Sequence, residues 1–212
     1  MNQIENRYKT VEDYGTAEIT EKRSRFIANV RPVSSEEEAI EYINTIKQKY
    51  WDARHNVYAY VLRENNIMRY SDDGEPGGTA GLPILEILKK EELFDLVVVV
   101  TRYFGGILLG TGGLVHAYSK SAKAGVDDAG QVEMVLCRKI DITCDYNFIG
   151  KLQFEINEFS EAFVGEATYG EIVVQSVYVP CELTEMFVNR IIDKTIAKVS
   201  VELGETEYFE KK

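Results

Sequence analysis

The sequence predicts an α+β protein of two domains. A chain of 212 residues is long enough for two small domains with separate cores. Alternating strand patterns and helical patterns interleave along the whole chain. A helical pattern stops at a glycine in "DDAGQ", residues 127–131. We therefore place the boundary there, with one domain at residues 1–130 and a second at residues 131–212.

The first domain is predicted to alternate paired strands with helices. The predicted elements are a strand pair at 14–33, a helix at 34–51, strands at 55–63 and 67–71, a loop at 71–81 and a helix at 82–93. The helix at 34–51 starts with serine and glutamate and ends with lysine, which suits capping and the helix dipole. The stretch "VVVVTRYFGGILLGTGGLVHAY", residues 97–118, then supplies a buried strand, a glycine-dense turn and a helix.

The second domain has more regular periods. The predicted elements are a strand at 134–146, a helix at 147–159, strands at 161–170 and 171–180, a helix at 181–196 and a strand at 198–210. Asn147 is placed to cap the first of these helices. The order βαββαβ is that of a ferredoxin-like split fold.

Composition narrows the function classes. The net charge of -11 argues against a protein that coats nucleic acid by bulk electrostatics, so any such contact needs a local basic patch. Cys137, Cys144 and Cys181 are odd in number and lack CxxC spacing, which argues against a zinc site and a disulfide framework. No stretch has the roughly 18 apolar residues of a membrane span. We expect a cytoplasmic protein without a membrane partner.

The glycine-dense turn fails two nucleotide-binding motifs. Gly105 and Gly110 have the glycine spacing of a P-loop, but Thr111 stands where that motif needs lysine. Gly110 and Gly112 begin a dinucleotide fingerprint, but Val115 stands where its third glycine belongs. The segment therefore predicts neither an NTPase nor a dehydrogenase.

Two interpretations of this segment stay open. In one, the turn exposes backbone N–H groups, and the helix starting near Gly112 attracts phosphate or carboxylate. In the other, Gly105 and Gly106 form a turn with positive φ, while Gly112 and Gly113 let the helix pack closely on the sheet. The adjacent cation and rings favour the first interpretation because they suit phosphate and base stacking: Arg102, Tyr103 and Phe104.

The loop "SDDGEPGGTAG" concentrates acidic residues. Asp72, Asp73 and Glu75 could together hold magnesium, which prefers clustered oxygen ligands. The loop lacks calcium-loop spacing, however, and Asp-Gly and Glu-Pro pairs are ordinary turn chemistry. Gly77 and Gly78 add flexibility, so this loop is a candidate to order on binding.

The remaining candidates are isolated. His55 and His116 are the only histidines and lack metal-binding spacing, although either could meet a phosphate. Because no nucleophile motif is present, no catalytic residue is predicted. We expect Trp51 to pack in the core. If it were exposed, a basic and aromatic surface would extend over Tyr50, Arg54, His55 and Arg102.

Several motifs resemble the YigZ/IMPACT family. The resemblance runs through residues 18–122 and rests on "DDGEPGGTAG" and on "RYFGG" with the downstream "LGTGGL". It implies a first domain of the ββαβ type found in domain IV of elongation factor G, a ribosomal protein and the GHMP kinases. It also implies a ferredoxin-like second domain similar to domain V of that factor. His116 departs from the family, whose members usually carry arginine there.

The resemblance also implies a function. Eukaryotic IMPACT proteins are linked to translational control during amino-acid starvation, but their contacts through an extra N-terminal RWD domain are not carried over. We hypothesise a non-enzymatic, translation-related regulatory factor that binds RNA or the ribosome through the first domain. The predicted binding residues are Arg54, His55, Arg102, Tyr103, Phe104, Gly105, Gly106, Gly110, Thr111, Gly112, Gly113 and His116. A family loop of unassigned role comprises Asp72, Asp73, Gly74, Glu75, Pro76, Gly77, Gly78 and Thr79.

Two other hypotheses stay open. One is an enzyme or sensor for a nucleotide or another phosphate ligand, with magnesium in the acidic loop; the leading hypothesis needs no cofactor. The other is a protein-interaction module that uses the acidic ferredoxin-like sheet. The oligomeric state is left open.

Overall fold

The structure, a computed structural model, describes residues 6–211. The chain divides into two compact units, and the division falls after Glu133, inside a strand that begins at Gln131. The first unit comprises residues 8–133. The second comprises residues 134–211 together with Asn6 and Arg7, which the sequence predicts in the first domain. Their place follows from two contacts: Leu136 N–H donates to the Asn6 carbonyl at 2.8 Å, and Arg7 pairs with Glu182.

The first unit is an α+β sandwich built on one antiparallel sheet. Along the chain the elements are β1 (Arg7–Val11), which lies outside this sheet and whose Arg7 belongs to the second unit, followed by β2 (Gly15–Glu21), β3 (Ser24–Pro32), α1 (Glu36–Lys49), β4 (His55–Leu62), β5 (Ile67–Ser71), α2 (Gly81–Lys90), β6 (Leu96–Tyr103) and α3 (Gly110–Asp128). The strand order in the sheet is β2-β3-β6-β4-β5. Ser35 caps α1 by accepting from Glu38 N–H, as the serine and glutamate pattern predicts.

The central strand β6 is buried on both sides. Val98 and Val100 face the core beneath α2 and α3, while Val97 and Val99 face the smaller core beneath α1. A strand covered on both faces needs apolar residues at every position, which explains the run of four valines.

Four connecting segments and the first residues of two helices lie at one end of this sheet. The register pairs Arg25 with Tyr103 and His55 with Arg102, so β3 and β4 begin where β6 ends. We call this the loop end. It consists of the β2–β3 turn at 22–23, the segment 50–54 after α1, the loop 72–80 and the segment 104–109, and α2 and α3 both begin there.

The second unit is the predicted ferredoxin-like fold. Its elements are β7 (Gln131–Cys144), α4 (Ile149–Asn157), β8 (Phe163–Tyr169), β9 (Val173–Pro180), α5 (Thr184–Lys194) and β10 (Val199–Glu210), and its antiparallel strands lie in the order β8-β9-β7-β10. Ile140, Leu152 and Phe187 belong to its core. Asn147 does not cap α4: it lies inside a short 3-10 turn, so α4 begins after Phe148 without a side-chain cap.

Two further predictions concern the cysteines and the absence of membrane spans. Cys137 and Cys144 are buried free thiols, and burial raises the pKa of Cys137 to about 11, so it stays protonated at neutral pH. Among the helices within residues 6–211, none combines the length and the apolar character required to cross a membrane.

Candidate functional site

Asp72 holds the start of the acidic loop against the start of α2. Its Oδ1 accepts hydrogen bonds from the N–H groups of Ala80 at 3.0 Å and Gly81 at 2.8 Å. Its Oδ2 accepts one from Gly78 N–H at 2.8 Å. The first amides of a helix lack partners within the helix, and here a carboxylate from outside supplies them.

Asp73 ties the same loop to β4 and α1. Its Oδ2 accepts from Asn56 N–H at 2.7 Å, and its Oδ1 pairs with Lys47 Nζ at 3.0 Å. Its carbonyl lies 2.8 Å from His55 Nδ1. Because a carbonyl only accepts, Nδ1 carries the proton of that bond. His55 is therefore a structural partner of the loop, and only its Nε2 is left for another group.

Glu75 forms a buried ion pair with Arg102. Arg102 Nη1 donates to Glu75 Oε1 at 2.6 Å, and the two side chains are only 7% and 4% exposed. Tyr118 Oη donates to the same oxygen at 2.8 Å. Burial, followed by the Glu75 carboxylate, raises the pKa of Tyr118 far above its ordinary value, so the hydroxyl remains a donor.

Arg102 lies where the sequence does not predict it. It shares a face of β6 with Val98 and Val100, so its side chain points into the core instead of beside the glycine turn. The centre of its guanidinium lies 5.4 Å from the ring centroid of Phe26 and 5.6 Å from that of Phe104. A buried guanidinium neutralised by Glu75 offers no charge to a phosphate at the surface.

The three loop carboxylates thus face three different parts of the unit. Asp72 serves backbone amides, Asp73 serves Lys47 and β4, and Glu75 serves Arg102 and Tyr118. Within residues 6–211 no group of three or more acidic, histidine or cysteine side chains is placed to hold a metal ion. The rest of the loop is also built around internal bonds, since Thr79 Oγ1 donates to the Pro76 carbonyl at 2.7 Å and Gly74 adopts a φ of +86°.

The glycine turn combines close approach and positive φ. A Cβ on Gly105 would lie 2.1 Å from the carbonyl of Arg23, so the β2–β3 turn requires glycine there. Gly106 and Gly110 have φ values of +82° and +74°, which L side chains rarely adopt. The positive φ therefore falls on Gly106 and Gly110, not on Gly105.

The start of α3 is exposed and has no side-chain cap. The helix begins at Gly110, one residue after Leu109, which provides no capping bond. A Cβ on Gly112 would meet nothing within 4 Å, so this glycine is not there for packing, whereas one on Gly113 would touch Leu109. Thr111 and His116 are exposed on the same helix.

Trp51 contradicts the prediction that it packs in the core, because 82% of it is exposed. The buried stripe of α1 includes Tyr42, Ile43 and Ile46, and its next position falls near Tyr50, which is half-buried. Trp51 comes one residue later, in the turn that leaves the helix, and so falls outside the buried stripe.

The turn that carries Trp51 is held in place. Tyr103 Oη donates to Asp52 Oδ1 at 2.7 Å, and this hydrogen bond raises the pKa of Tyr103 to about 12. Ala53 N–H donates to the Tyr50 carbonyl at 3.0 Å. The guanidinium of Arg25 lies 5.5 Å from the Tyr103 ring centroid and is itself paired with Glu18.

Three cations at the loop end have no ionic partner. Lys22 and Arg23 form the β2–β3 turn with φ values of +43° and +67°, a conformation usually occupied by glycine or asparagine. Arg54 follows the Trp51 turn. All three are exposed, and none pairs with a carboxylate of residues 6–211. We define the tip surface as Lys22, Arg23, Trp51, Arg54 and Phe104, whose ring is 47% exposed.

Comparison with known proteins covers both units. Residues 22–126 match the Impact N-terminal domain, and residues 142–198 match a domain of unknown function, DUF1949. The IMPACT family member YvyE of Bacillus subtilis is 45% identical over 205 residues, which cover 96% of this chain and 94% of YvyE. This chain belongs to the IMPACT family.

Other relatives and one solved structure also match this chain. YigZ of Escherichia coli is 32% identical over 180 residues, which cover 81% of this chain and 85% of YigZ. Protein IMPACT-A of Xenopus tropicalis is 38% identical over 104 residues, covering 46% of this chain and 32% of that protein. A crystal structure described only as that of a hypothetical protein has a TM-score of 0.61 at 26% identity, covering 95% and 99% of the two chains.

In this IMPACT family chain, the predicted site residues separate into two groups. The acidic loop, His55 and Arg102 are joined by hydrogen bonds inside the unit, whereas Arg54, Phe104 and the start of α3 remain exposed. The sequence did not single out Lys22 and Arg23 as binding residues. One signal was available, because a two-residue strand connection made of two cations departs from the usual glycine and asparagine.

Proposed function

We propose that this chain is a non-enzymatic, translation-related factor that binds RNA, free or within the ribosome, through the tip surface. The single observation that carries the proposal is the exposed Trp51 at the same end of the sheet as three exposed cations that have no ionic partner among residues 6–211. Aromatic rings and unpaired cations together are what proteins use to hold nucleic-acid bases and phosphates. The translational context is the one implied by the family resemblance.

The charge distribution supports a small footprint. The whole chain has a net charge of -11, so RNA would be repelled from most of its surface. At the loop end, Glu75, Asp72 and Asp73 are engaged internally, while Lys22, Arg23 and Arg54 are left to meet phosphates. With three such cations, the logarithm of the binding constant is expected to fall with the logarithm of salt concentration at a slope of about -2 to -3.

Binding of labelled RNA and co-sedimentation with ribosomes, each at low and moderate salt, test the proposal. Arg23→Ala and Arg54→Ala are expected to weaken binding and to reduce the salt slope by about 1 each. Lys90→Ala is the matched control, since Lys90 is an exposed lysine at the far end of α2. If wild-type protein associates with neither RNA nor ribosomes at low salt, the proposal fails.

A small phosphorylated ligand is the second candidate, favoured by the exposed first turn of α3 without a side-chain cap. This candidate makes no use of magnesium at the acidic loop, because Asp72, Asp73 and Glu75 are engaged elsewhere. Thermal unfolding with a panel of nucleotides, with and without magnesium, separates the two. A ligand at a hundred times its Kd adds about 2.7 kcal/mol to the free energy of unfolding, and a flat response across the panel counts against this candidate.

A further inference from the structure

Trp51 is the only tryptophan in the sequence, and the fold leaves it in water. Tryptophan buries more apolar surface than almost any other side chain, so an exposed one gives up a large hydrophobic contribution. Within the described residues Trp51 makes no ring stacking and no cation–π contact. Its side chain therefore contributes little to the stability of the unit and is available to a partner.

The indole is presented on a fixed backbone. Tyr50 N–H donates to the Ile46 carbonyl at 3.0 Å, and Ala53 N–H donates to the Tyr50 carbonyl at 3.0 Å. Asp52 is held by Tyr103 at 2.7 Å. A group held in this way loses less conformational freedom when it binds, so more of the contact energy appears as affinity.

A flat exposed ring favours unpaired bases over paired ones. In a duplex each base face is already stacked on its neighbours, so a protein ring can stack only after a base is pulled out of the helix. In a single strand the faces are free, and base-on-aromatic stacking is the usual mode of recognition.

The small number of cations at the tip surface also favours a single-stranded RNA. Recognition of double-stranded RNA rests on phosphate and 2′-hydroxyl contacts spread over about 16 base pairs. The tip surface offers Lys22, Arg23 and Arg54, in a chain whose net charge is -11. That number of charges suits a short segment of a few nucleotides.

We infer that the tip surface selects single-stranded RNA, with one base stacked on the indole of Trp51 and the adjoining phosphates held by Arg54 and the β2–β3 turn. The inference rests on the proposed function and names the class of RNA bound at that site. Phe104, which is 47% exposed and lies beside Arg102, adds a second exposed ring at the same end of the sheet.

Intrinsic fluorescence gives a direct test, since the tryptophan signal of the whole chain comes from Trp51. An unstructured RNA of about 12 nucleotides is titrated into the protein, followed by the same RNA annealed to its complement. We expect the single strand to quench the fluorescence and to bind at least about 5-fold more tightly than the duplex.

Three variants, measured by the anisotropy of the labelled single strand, test the stacking. Trp51→Ala is expected to weaken binding about 5- to 150-fold, and Trp51→Phe to restore most of the loss because it keeps an aromatic face. Ile196→Ala is the matched control, since Ile196 is 75% exposed in the second unit. Because Trp51 is exposed, both Trp51 variants should unfold at the urea concentration of the wild type.

Each outcome decides between the two levels of the proposal. Equal or tighter binding of the duplex overturns the preference for single strands and leaves the proposed RNA function standing. Wild-type affinity in Trp51→Ala overturns the stacking. Absence of binding to both RNAs overturns the inference, and absence of ribosome co-sedimentation as well overturns the proposed function.

Discussion

The acidic loop and the tip surface occupy the same end of one sheet and use their polar groups in opposite ways. In the loop, the carboxylates of Asp72, Asp73 and Glu75 are each bound by groups of the same unit. At the tip, Lys22 and Arg54 are exposed and pair with no carboxylate in the described part of the chain, residues 6–211. The two regions have opposite charge, and they also differ in how completely their charged groups are paired within the fold.

The difference separates polar groups that stabilise the fold from polar groups that are available to a ligand. A buried polar group costs free energy unless it is paired, so a motif rich in polar residues that folds inward must satisfy itself. A charged group that is already paired within the protein has little hydrogen-bonding capacity or net charge to offer a ligand. Binding is therefore expected where large or charged side chains stay unpaired, even when the sequence around them shows no motif.

The largest expected effect breaks the buried ion pair. Glu75→Ala leaves Arg102 buried without its counter-charge, and we expect the free energy of unfolding to fall by about 3 to 5 kcal/mol. Glu18→Ala is the matched control, because it removes the partner of an exposed arginine, Arg25, and should cost no more than about 1 kcal/mol. Urea unfolding measures both, and equal losses would show that the loop pair contributes no more than a surface pair.

Two glycines of the same segment are expected to respond with opposite sign. Gly105→Ala places a Cβ 2.1 Å from the Arg23 carbonyl, so the backbone must shift at a cost of about 1 to 3 kcal/mol. Gly112→Ala meets open space in the first turn of α3 and should raise stability by about 0.5 to 1 kcal/mol. A stability gain in both variants, or a loss in both, would contradict the distinction between them.

The capping role of Asp72 predicts a smaller loss. Asp72→Ala removes the acceptor of two backbone amides at the start of α2 and of one in the preceding loop, and we expect about 0.5 to 2 kcal/mol less stability. Asp72→Asn keeps one acceptor oxygen and should lose less. Neither variant is expected to change RNA affinity where both are fully folded, and a selective loss of affinity would assign the loop to the binding site.

The smallest effect concerns the turn beneath Trp51. The Asp52 hydrogen bond raises the pKa of Tyr103 from 10.0 to about 12, so the fold prefers the neutral phenol. This contribution to stability is complete below pH 10 and is lost as the pH rises through 12. In Asp52→Ala the pKa of Tyr103 should return toward 10, which difference absorbance against Tyr103→Phe measures. An unchanged titration would mean that the carboxylate does not anchor the turn.

Much of the fold could be predicted because its signals are local. The alternation in β7 and β9 and the helical spacing in α5 predict the βαββαβ order. Ser35 predicts the start of α1. Asn147 shows the limit of such signals, since it has the residue type of a cap but lies inside a 3-10 turn. A capping residue acts only where the backbone actually leaves the helix.

The candidate site could be predicted from the sequence less well than the fold. Arg102 has the residue type of a phosphate ligand, yet the alternation of β6 turns it into the core. Trp51 has the residue type of a core residue, yet it falls just past the buried stripe of α1. In both cases a shift of one position along the chain decides whether a side chain is buried or exposed.

The sequence by itself determined a mixed α+β unit and a ferredoxin-like unit, the order of their elements except β1, and the family, because periodicity, turns and motifs are properties of neighbouring residues. Only the tertiary structure decided which polar groups are paired within the fold and which are left unpaired at the surface. The partners of Asp73 and Glu75 come from 17 to 43 residues away along the chain, and no local pattern specifies such distant pairings. The tip surface is what the fold leaves unpaired after those pairings are made.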